Sequence, residues 1–254
     1  MPETVLERIE RADVQHQGLY GGEIGVFGTV AAVCTDPSLP INSALGFGRD
    51  LSNLSAVEAF YEVRHLPSRV IVYAHGQALD PLHERGYRLT LQLNVYLCLL
   101  PRASRPSPGP PPSGVQVRPA QPLEFAEVST LGFGASSRAI LERTSQRPNT
   151  ALYLAEQNGQ PIGAGALSVF GDVALFFSTA TVPVFRSVGA QTALLARRLD
   201  DAQAAHATLA TVMTTAGSPS ERNVRRAGFE LAGSRLSFER RPSSLPAGSS
   251  EREQ

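Results

Sequence analysis

The chain contains no lysine; all 23 of its basic side chains are arginine, a bias that codon usage accounts for. They balance 23 acidic residues, so the formal net charge is zero and no overall field favours nucleic acid or an anionic membrane. The expected partner is a small molecule. Cysteine is scarce too: Cys34 and Cys98 are too few for a disulfide framework, and neither has metal-ligand spacing to another Cys or a His. Both read as small buried apolar residues, and neither stands in the context of an activated thiolate beside a His. His16, His65, His75, His83 and His206 are scattered without a shared spacing, so no metal site is expected. Long apolar runs are missing as well. Nothing reaches about 18 apolar residues, and the opening MPETVLERIERADVQHQGLY lacks a signal-peptide core, so the expected location is the cytoplasm.

What is present suits a packed fold. Apolar residues make up 42% of the 254 and charged residues 18%. That length exceeds the roughly 100 to 200 residues usual for one domain, so two are expected. The division falls at residues 101–114 (PRASRPSPGPPPSG), whose proline density predicts a semi-extended connector. It leaves an N-terminal domain over 1–100 and a C-terminal domain over 115–240. The last stretch, 241–254, is polar with nothing to bury and reads as a disordered tail.

In the second half the pattern predicts a strand at 115–118, then helices at 123–132 and 136–144. Strand-like runs at 150–157 and 161–170 flank Asn158-Gly159, whose two residues accept positive φ and so predict a hairpin. A third strand, 173–182, stops at Pro183, which cannot donate to a ladder. Helix 190–206, strand 208–214, helix 220–227 ended by Gly228, and strand 229–238 complete the set. The fold class is α+β, with a mixed, mostly antiparallel sheet flanked by helices. The first half echoes this ending with helix 54–65, strand 68–74, short helix 80–85 and long strand 88–100. ERGY and RAGF fall at matching points; a generic helix C-cap and an internal duplication both explain them.

The stretch TATVPVFRSVGAQTALLARRL reads as a strand, a proline, a Gly-containing loop and an alanine-rich helix. Such a junction receives anions, because the first N–H groups of a helix have no internal partners and sit at the positive end of its dipole. Gly189 permits close backbone approach and Arg186 can add charge-assisted hydrogen bonds; a plain strand-to-helix turn has the same residues.

The run VPVFRSVGAQ resembles the acyl-CoA signature of the GNAT (general N-acetyltransferase) superfamily, Q/RxxGxG/A after a strand ending in proline. GSPSERNVRRAGFEL resembles that superfamily's closing segment. The resemblance covers residues 115–238 well and the first half faintly, implying two tandem GNAT-like halves of which the first is degenerate. It implies an acyl-CoA, in the first place acetyl-CoA, as co-substrate of an N-acyltransferase. The N–H groups of Ser187, Val188, Gly189, Ala190, Gln191 and Thr192, with Arg186, would cradle the diphosphate. The strand edge Thr179, Ala180, Thr181 would pair with the pantetheine, and Asn223 would hydrogen-bond it. Transfer would be direct to a small-molecule amine or peptide acceptor, with strand-edge N–H groups near Thr181 stabilising the developing oxyanion.

Two positions depart from the family pattern. Gln191 stands where Gly or Ala is usual, and Val224 stands where many members carry a thiolate-protonating Tyr. Ser218 and Ser220 are alternatives for that proton, though Ser before a helix also serves as an N-cap. No general base is identified. Glu127 and Glu156 are the carboxylates expected nearest the cleft, and both also read as solvated charges. Asn42, Gly46 and Gly48 form a loop that either reaches the cleft or merely connects strands. An acyl-CoA-binding scaffold without turnover is the alternative to an enzyme.

Overall fold

The computed structural model describes residues 3–39, 41–100 and 114–241. The connector expected at 101–114 and the tail expected at 241–254 lie outside them, save Gly114 and Arg241. The first half runs α1 (Val5–Gly18), β1 (Glu23–Phe27), β2 (Val30–Cys34), β3 (Ala44–Leu45), α2 (Leu54–Glu62), β4 (Ser68–Tyr73), α3 (Asp80–Glu84) and β5 (Arg88–Leu99). The second runs β6 (Val115–Pro119), α4 (Pro122–Phe133), α5 (Arg138–Ser145), β7 (Ala151–Gln157), β8 (Gln160–Phe170), β9 (Val173–Thr181), α6 (Ala190–Ala204), β10 (Leu209–Thr214), α7 (Pro219–Arg226) and β11 (Glu230–Arg240).

Local chemistry explains the boundaries. Asn158 and Gly159 take φ of 52° and 78°, the turn that joins β7 to β8. No element was expected before Leu54, yet α1 begins with a capping box: Thr4 Oγ1 accepts the Glu7 N–H at 3.2 Å and Glu7 Oε2 accepts the Thr4 N–H at 2.7 Å. Its buried side mixes Ile9 and Ala12 with Glu10, Asp13, His16 and Gln17, which hides the apolar period from a sequence reading. Cys98 is buried as expected, whereas Cys34 is only partly covered because it closes β2 beside the sheet's edge strand.

All eleven strands form one sheet in the order β1-β2-β3-β4-β11-β5-β10-β9-β8-β7-β6. The halves have exchanged their last strands: β11 lies between β4 and β5, and β5 lies between β11 and β10. Gly86 and Gly228 are 142 positions apart (228 − 86), and that shift generates the whole exchange. Ser68 pairs with Arg240; moving the first forward and the second back by 142 gives Ala210 with Cys98, which also pair. Leu89 with Phe238 becomes Leu231 with Tyr96 in the same way, and the two bulges between β5 and β11 fall at Thr90 and Ala232, again related by the shift. A local twofold axis therefore runs between β5 and β11, as a duplicated unit requires. The core of each half is completed by the other. Tyr96 and Cys98 of β5 pack with Leu194, Val224 and Phe229, while Phe238 of β11 packs with Tyr61, Val70 and Leu82.

Candidate functional site

β9 and β10 run parallel only as far as the Phe176 and Val212 pair. Beyond it, residues 177–181 of β9 stay paired to β8 alone, so the two parallel strands part in a V and leave one β9 edge open. A bulge starts the divergence. The β8 register slips between Ala164 and Ala166, and Ser178 opposite takes φ 46°. Arg198 of α6 holds the bulge from beneath. It is fully buried, and its Nη1 donates to Thr179 Oγ1 at 2.9 Å and to the Ala166 carbonyl at 3.2 Å. Gly165 makes the space, since a Cβ there would meet Arg198 Cζ at 3.1 Å. Burial without a facing carboxylate pushes the guanidinium down to about 9, and its Nη2 has no hydrogen-bond partner among the described residues.

The chain leaves β9 through a turn at Pro183–Phe185 and enters α6 with Ser187 at φ 72° and Gly189 at φ 93°. Gly189 is the N-cap, with no side-chain cap bond, and the first intrahelical bond runs from the Ala193 N–H to its carbonyl at 3.0 Å. The first-turn N–H groups of Ala190, Gln191 and Thr192 therefore point out of the helix end toward whatever lies before it. Gln191 spans to α7: its Oε1 accepts from Asn223 Nδ2 at 2.5 Å and its Nε2 donates to Ser220 Oγ at 2.9 Å. The residue that departs from the expected small side chain thus turns sideways and ties two helices together.

A cleft of about 810 Å³ occupies this mouth. Thr179, Ala180, Thr181, Arg186, Ser187, Gly189, Ala190, Gln191, Thr192 and Asn223 line it; Val188 does not, because its side chain turns inward onto the core. The remaining lining, Gly132 and Phe133 of α4 and Pro219, Arg222 and Arg226 of α7, is absent from the sequence reading. Gly132 is required by contact, since a Cβ there would lie 2.5 Å from Ala180 Cβ. Among the described residues no carboxylate lines this cleft and three arginines do, so it suits a polyanion.

A second cleft of about 460 Å³ opens on the other side of the notch and shares Phe133 and Thr179 with the first. One wall is β9 and β10, through residues such as Phe177, Ser178 and Met213; the facing wall is α1, through Asp13, His16 and Gln17, with Tyr20 of the turn that follows it. A buried polar cluster anchors that wall. Asp13 Oδ2 accepts from Tyr73 Oη at 2.8 Å and from Arg235 Nε at 3.0 Å. Burial alone would raise the Asp13 carboxyl, but the Arg235 cation and these hydrogen bonds outweigh it and hold it well below the usual carboxylate range. Burial is also the main cause that lowers the His16 imidazole below its usual value.

Several candidates lie elsewhere. Glu156 accepts from Arg118 at 2.9 Å at the β6–β7 edge, and Glu127 is exposed on α4; neither lines a cleft, because strand end and helix face carry both outward. Ser218 and Ser220, by contrast, do line the second cleft: Ser218 accepts the Glu221 N–H as the α7 N-cap, and Ser220 Oγ accepts from Gln191 Nε2. Val224 is fully buried in the core, so α7 offers the notch no proton donor there. Asn42, Gly46 and Gly48 flank β3 in the first half and line neither cleft.

No protein-family model matches the chain, and no curated protein matches its sequence. Solved structures do. A GCN5-related N-acetyltransferase from Kribbella flavida superposes with a TM-score of 0.70 at 16% identity, covering 96% of this chain and 98% of that one. A functionally unknown conserved protein from Staphylococcus epidermidis gives 0.63 at 13% identity over 87% and 94%. A tandem GNAT protein from the clavulanic acid biosynthesis pathway gives 0.58 at 14% over 85% and 79%. The chain has the tandem GNAT fold. Within that fold the open notch and the Gly189 helix end both lie in the second half, where the resemblance places them. Among the described residues no helix is long and apolar enough to cross a membrane.

Proposed function

We propose that the protein is an acyl-CoA-dependent N-acyltransferase, with acetyl-CoA as the expected donor and an amine of a small molecule or peptide as acceptor, acting in the cytoplasm. The observation that carries this reading is the coincidence, in one acid-free cleft, of a bare helix N-terminus and an open strand edge. The residues present fit the donor: first-turn N–H groups and Arg186, Arg222 and Arg226 suit a diphosphate, and residues 179–181 offer unpaired backbone to an amide-bearing arm. The donor supplies the activated acyl group. The chain's own part is to orient it along β9, to hold the bulge at Ser178–Thr179 rigid through Arg198, and to admit the amine from the α1 side. Gln191 and Asn223 fix α7 against α6 so that the cleft keeps its shape.

Thermal unfolding with added acetyl-CoA tests the binding step: ligand at a hundredfold its Kd adds roughly 2.7 kcal/mol. Absence of any shift with acetyl-, propionyl- or longer acyl-CoA sinks the proposal. Gly189→Trp should erase the shift, since a side chain at φ 93° is strained and the indole would cover the helix end. The buried Val224 supports a second reading, a binding protein without turnover. Thiol release over a panel of amines, polyamines and peptides separates the two, remaining at background for the second.

A further inference from the structure

An acyl transfer to an amine needs a group that removes a proton from the nitrogen, and the first cleft offers none, having no carboxylate or histidine in its lining among the described residues. The second cleft does. His16 lines it, is 9% exposed, and its Nε2 has no hydrogen-bond partner among the described residues. A buried polar atom left unpaired in a folded protein asks for an explanation. Its surroundings supply one. The imidazole stands edge-on to Phe177 with ring centroids 4.4 Å apart, and Phe177 immediately precedes the bulge at Ser178 and Thr179, of which Thr179 lines both clefts.

On the other side of the ring, Nδ1 lies 3.7 Å from Asp13 Oδ1, one helical turn back on α1. A carboxylate only accepts, so the proton of the neutral imidazole belongs on Nδ1 facing it and the lone pair on Nε2, the unpartnered buried nitrogen of a ring that lines the cleft. Asp13 is itself pinned by Tyr73 and Arg235 and remains charged, ready to compensate an imidazolium. Two other charged groups face the ring: Arg147, whose guanidinium lies over Tyr20 at 4.3 Å and Phe177 at 5.2 Å, and Arg235, which lines the same cleft; both oppose premature protonation. Burial acts in the same direction, so the ring is neutral and able to accept a proton near pH 7.

We infer that His16 is the general base that takes the proton from the acceptor amine, so that a helix of the first half supplies a catalytic residue to the notch of the second. This rests on the acyltransfer reading above. In the step, the amine lone pair forms the new C–N bond, and the C–S bond breaks with its electron pair leaving on the thiolate. The proton shed by nitrogen passes to Nε2 and then to solvent. The first half is in this respect part of the active centre as well as a wall.

The test uses the full chain with acetyl-CoA and glycinamide, a weakly basic amine that is partly neutral across the useful pH range, and reads thiol release. His16→Asn and His16→Phe, the latter keeping an aromatic ring against Phe177, are each expected to lower kcat about 10²- to 10⁴-fold. Both should also lose the acid limb of kcat/KM against pH, with the acetyl-CoA-dependent thermal shift unchanged. Variants that stay within threefold of the unaltered protein with the same acid limb overturn the inference and leave acyl transfer standing. If the unaltered protein neither shifts nor releases thiol, the functional reading fails first and the inference with it. If it binds acetyl-CoA yet does not turn over glycinamide, or the variants do not fold, ¹⁵N-histidine spectra of the unaltered protein decide. Nε2 of His16 should move as glycinamide is added in the presence of CoA, and an unmoved signal overturns the assignment.

Discussion

Replacing Arg235 by Met should cost more stability than almost any other single change, and the reason lies in one carboxylate. Asp13 comes from α1 and Arg235 from the exchanged strand β11, while the Tyr73 hydroxyl that completes the cluster comes from β4. Asp13 and Arg235 side chains are only 7% and 13% exposed. Removing the cation leaves a buried anion with the Tyr73 hydroxyl as its remaining short partner, and breaking a buried pair from one side costs about 3–5 kcal/mol. For a chain of this size roughly 2–4 °C of Tm accompany each kcal/mol, so a fall of roughly 6–20 °C is expected near neutral pH. The sign of the pH effect follows from the lowered carboxyl. Its contribution is complete above the unfolded value of about 3.9 and is lost as pH falls through that value toward the folded one. The difference between the two proteins should therefore shrink in acid. The double variant Asp13→Asn with Arg235→Met, having no buried anion, should unfold above the single Arg235→Met. Calorimetry at two pH values checks all three statements, and a fall below about 2 °C, or a double variant less stable than the single one, would refute the reasoning.

Arg198→Met should move stability and activity in opposite directions. A buried cation with no facing carboxylate is replaced by an apolar chain, so Tm rises, while the bulge at Thr179 loses its brace and kcat drops roughly tenfold to a hundredfold with little change in the KM for acetyl-CoA. Parallel calorimetry and steady-state kinetics read both; a fall in Tm with kcat intact contradicts the assigned role. Separate polypeptides covering 1–113 and 114–254 should be unfolded or aggregated alone and should assemble when refolded together, because each half's sheet is completed by the other's last strand. Circular dichroism and sedimentation decide this, and a cooperatively folded monomer of either piece contradicts it.

The elements of the second half were legible because their signals are local. Asn158-Gly159 names its own hairpin, Pro183 ends its strand, and Gly228 stops its helix, each through backbone chemistry confined to two or three residues. The turn and helix start at Arg186 to Thr192 were readable for the same reason. Strand exchange was not, because β11 has the same alternation whether it pairs with β10 or with β4, and which neighbour it meets depends on the placement of residues more than a hundred positions away. The ERGY and RAGF echo pointed to two copies but contains nothing about their swap. The second cleft escaped because its wall is α1, whose capping box at Thr4 and Glu7 was present in the sequence while polar residues interrupt its apolar stripe. Those same polar residues, Glu10, Asp13 and His16, are the ones with work to do.

The duplication also accounts for why one notch is open. Val70 and Val212 are 142 positions apart, and each is the β4 or β10 residue at the parallel bridge: Val70 with Ala44, Val212 with Phe176. Counting two residues on from each partner sets Gly46 against Ser178, and both take positive φ, 98° and 46°. Four residues on, Gly48 stands against Ala180. In the second half Ala180 lines the open cleft; in the first, the Gly48 N–H donates to Glu10 Oε1 at 3.1 Å, and Glu10 Oε2 meets His75 Nε2 at 2.6 Å. Glu10 is 4% exposed, so the first half's notch is closed by a carboxylate of its own chain. Its helix also lacks the opposite feature, since α2 is capped by Asn53 at φ −78° in place of the positive-φ glycine that caps α6. One helix, α1, thus seals the first notch with Glu10 and faces the second with His16. Isothermal titration should accordingly find one acetyl-CoA per chain. Glu10→Ala should leave that stoichiometry at one while lowering Tm, because the vacated notch has no anion-binding helix end beside it and His75 loses its partner. Two equivalents bound by the unaltered protein would mean that Glu10 yields to the ligand and that the halves are functionally alike.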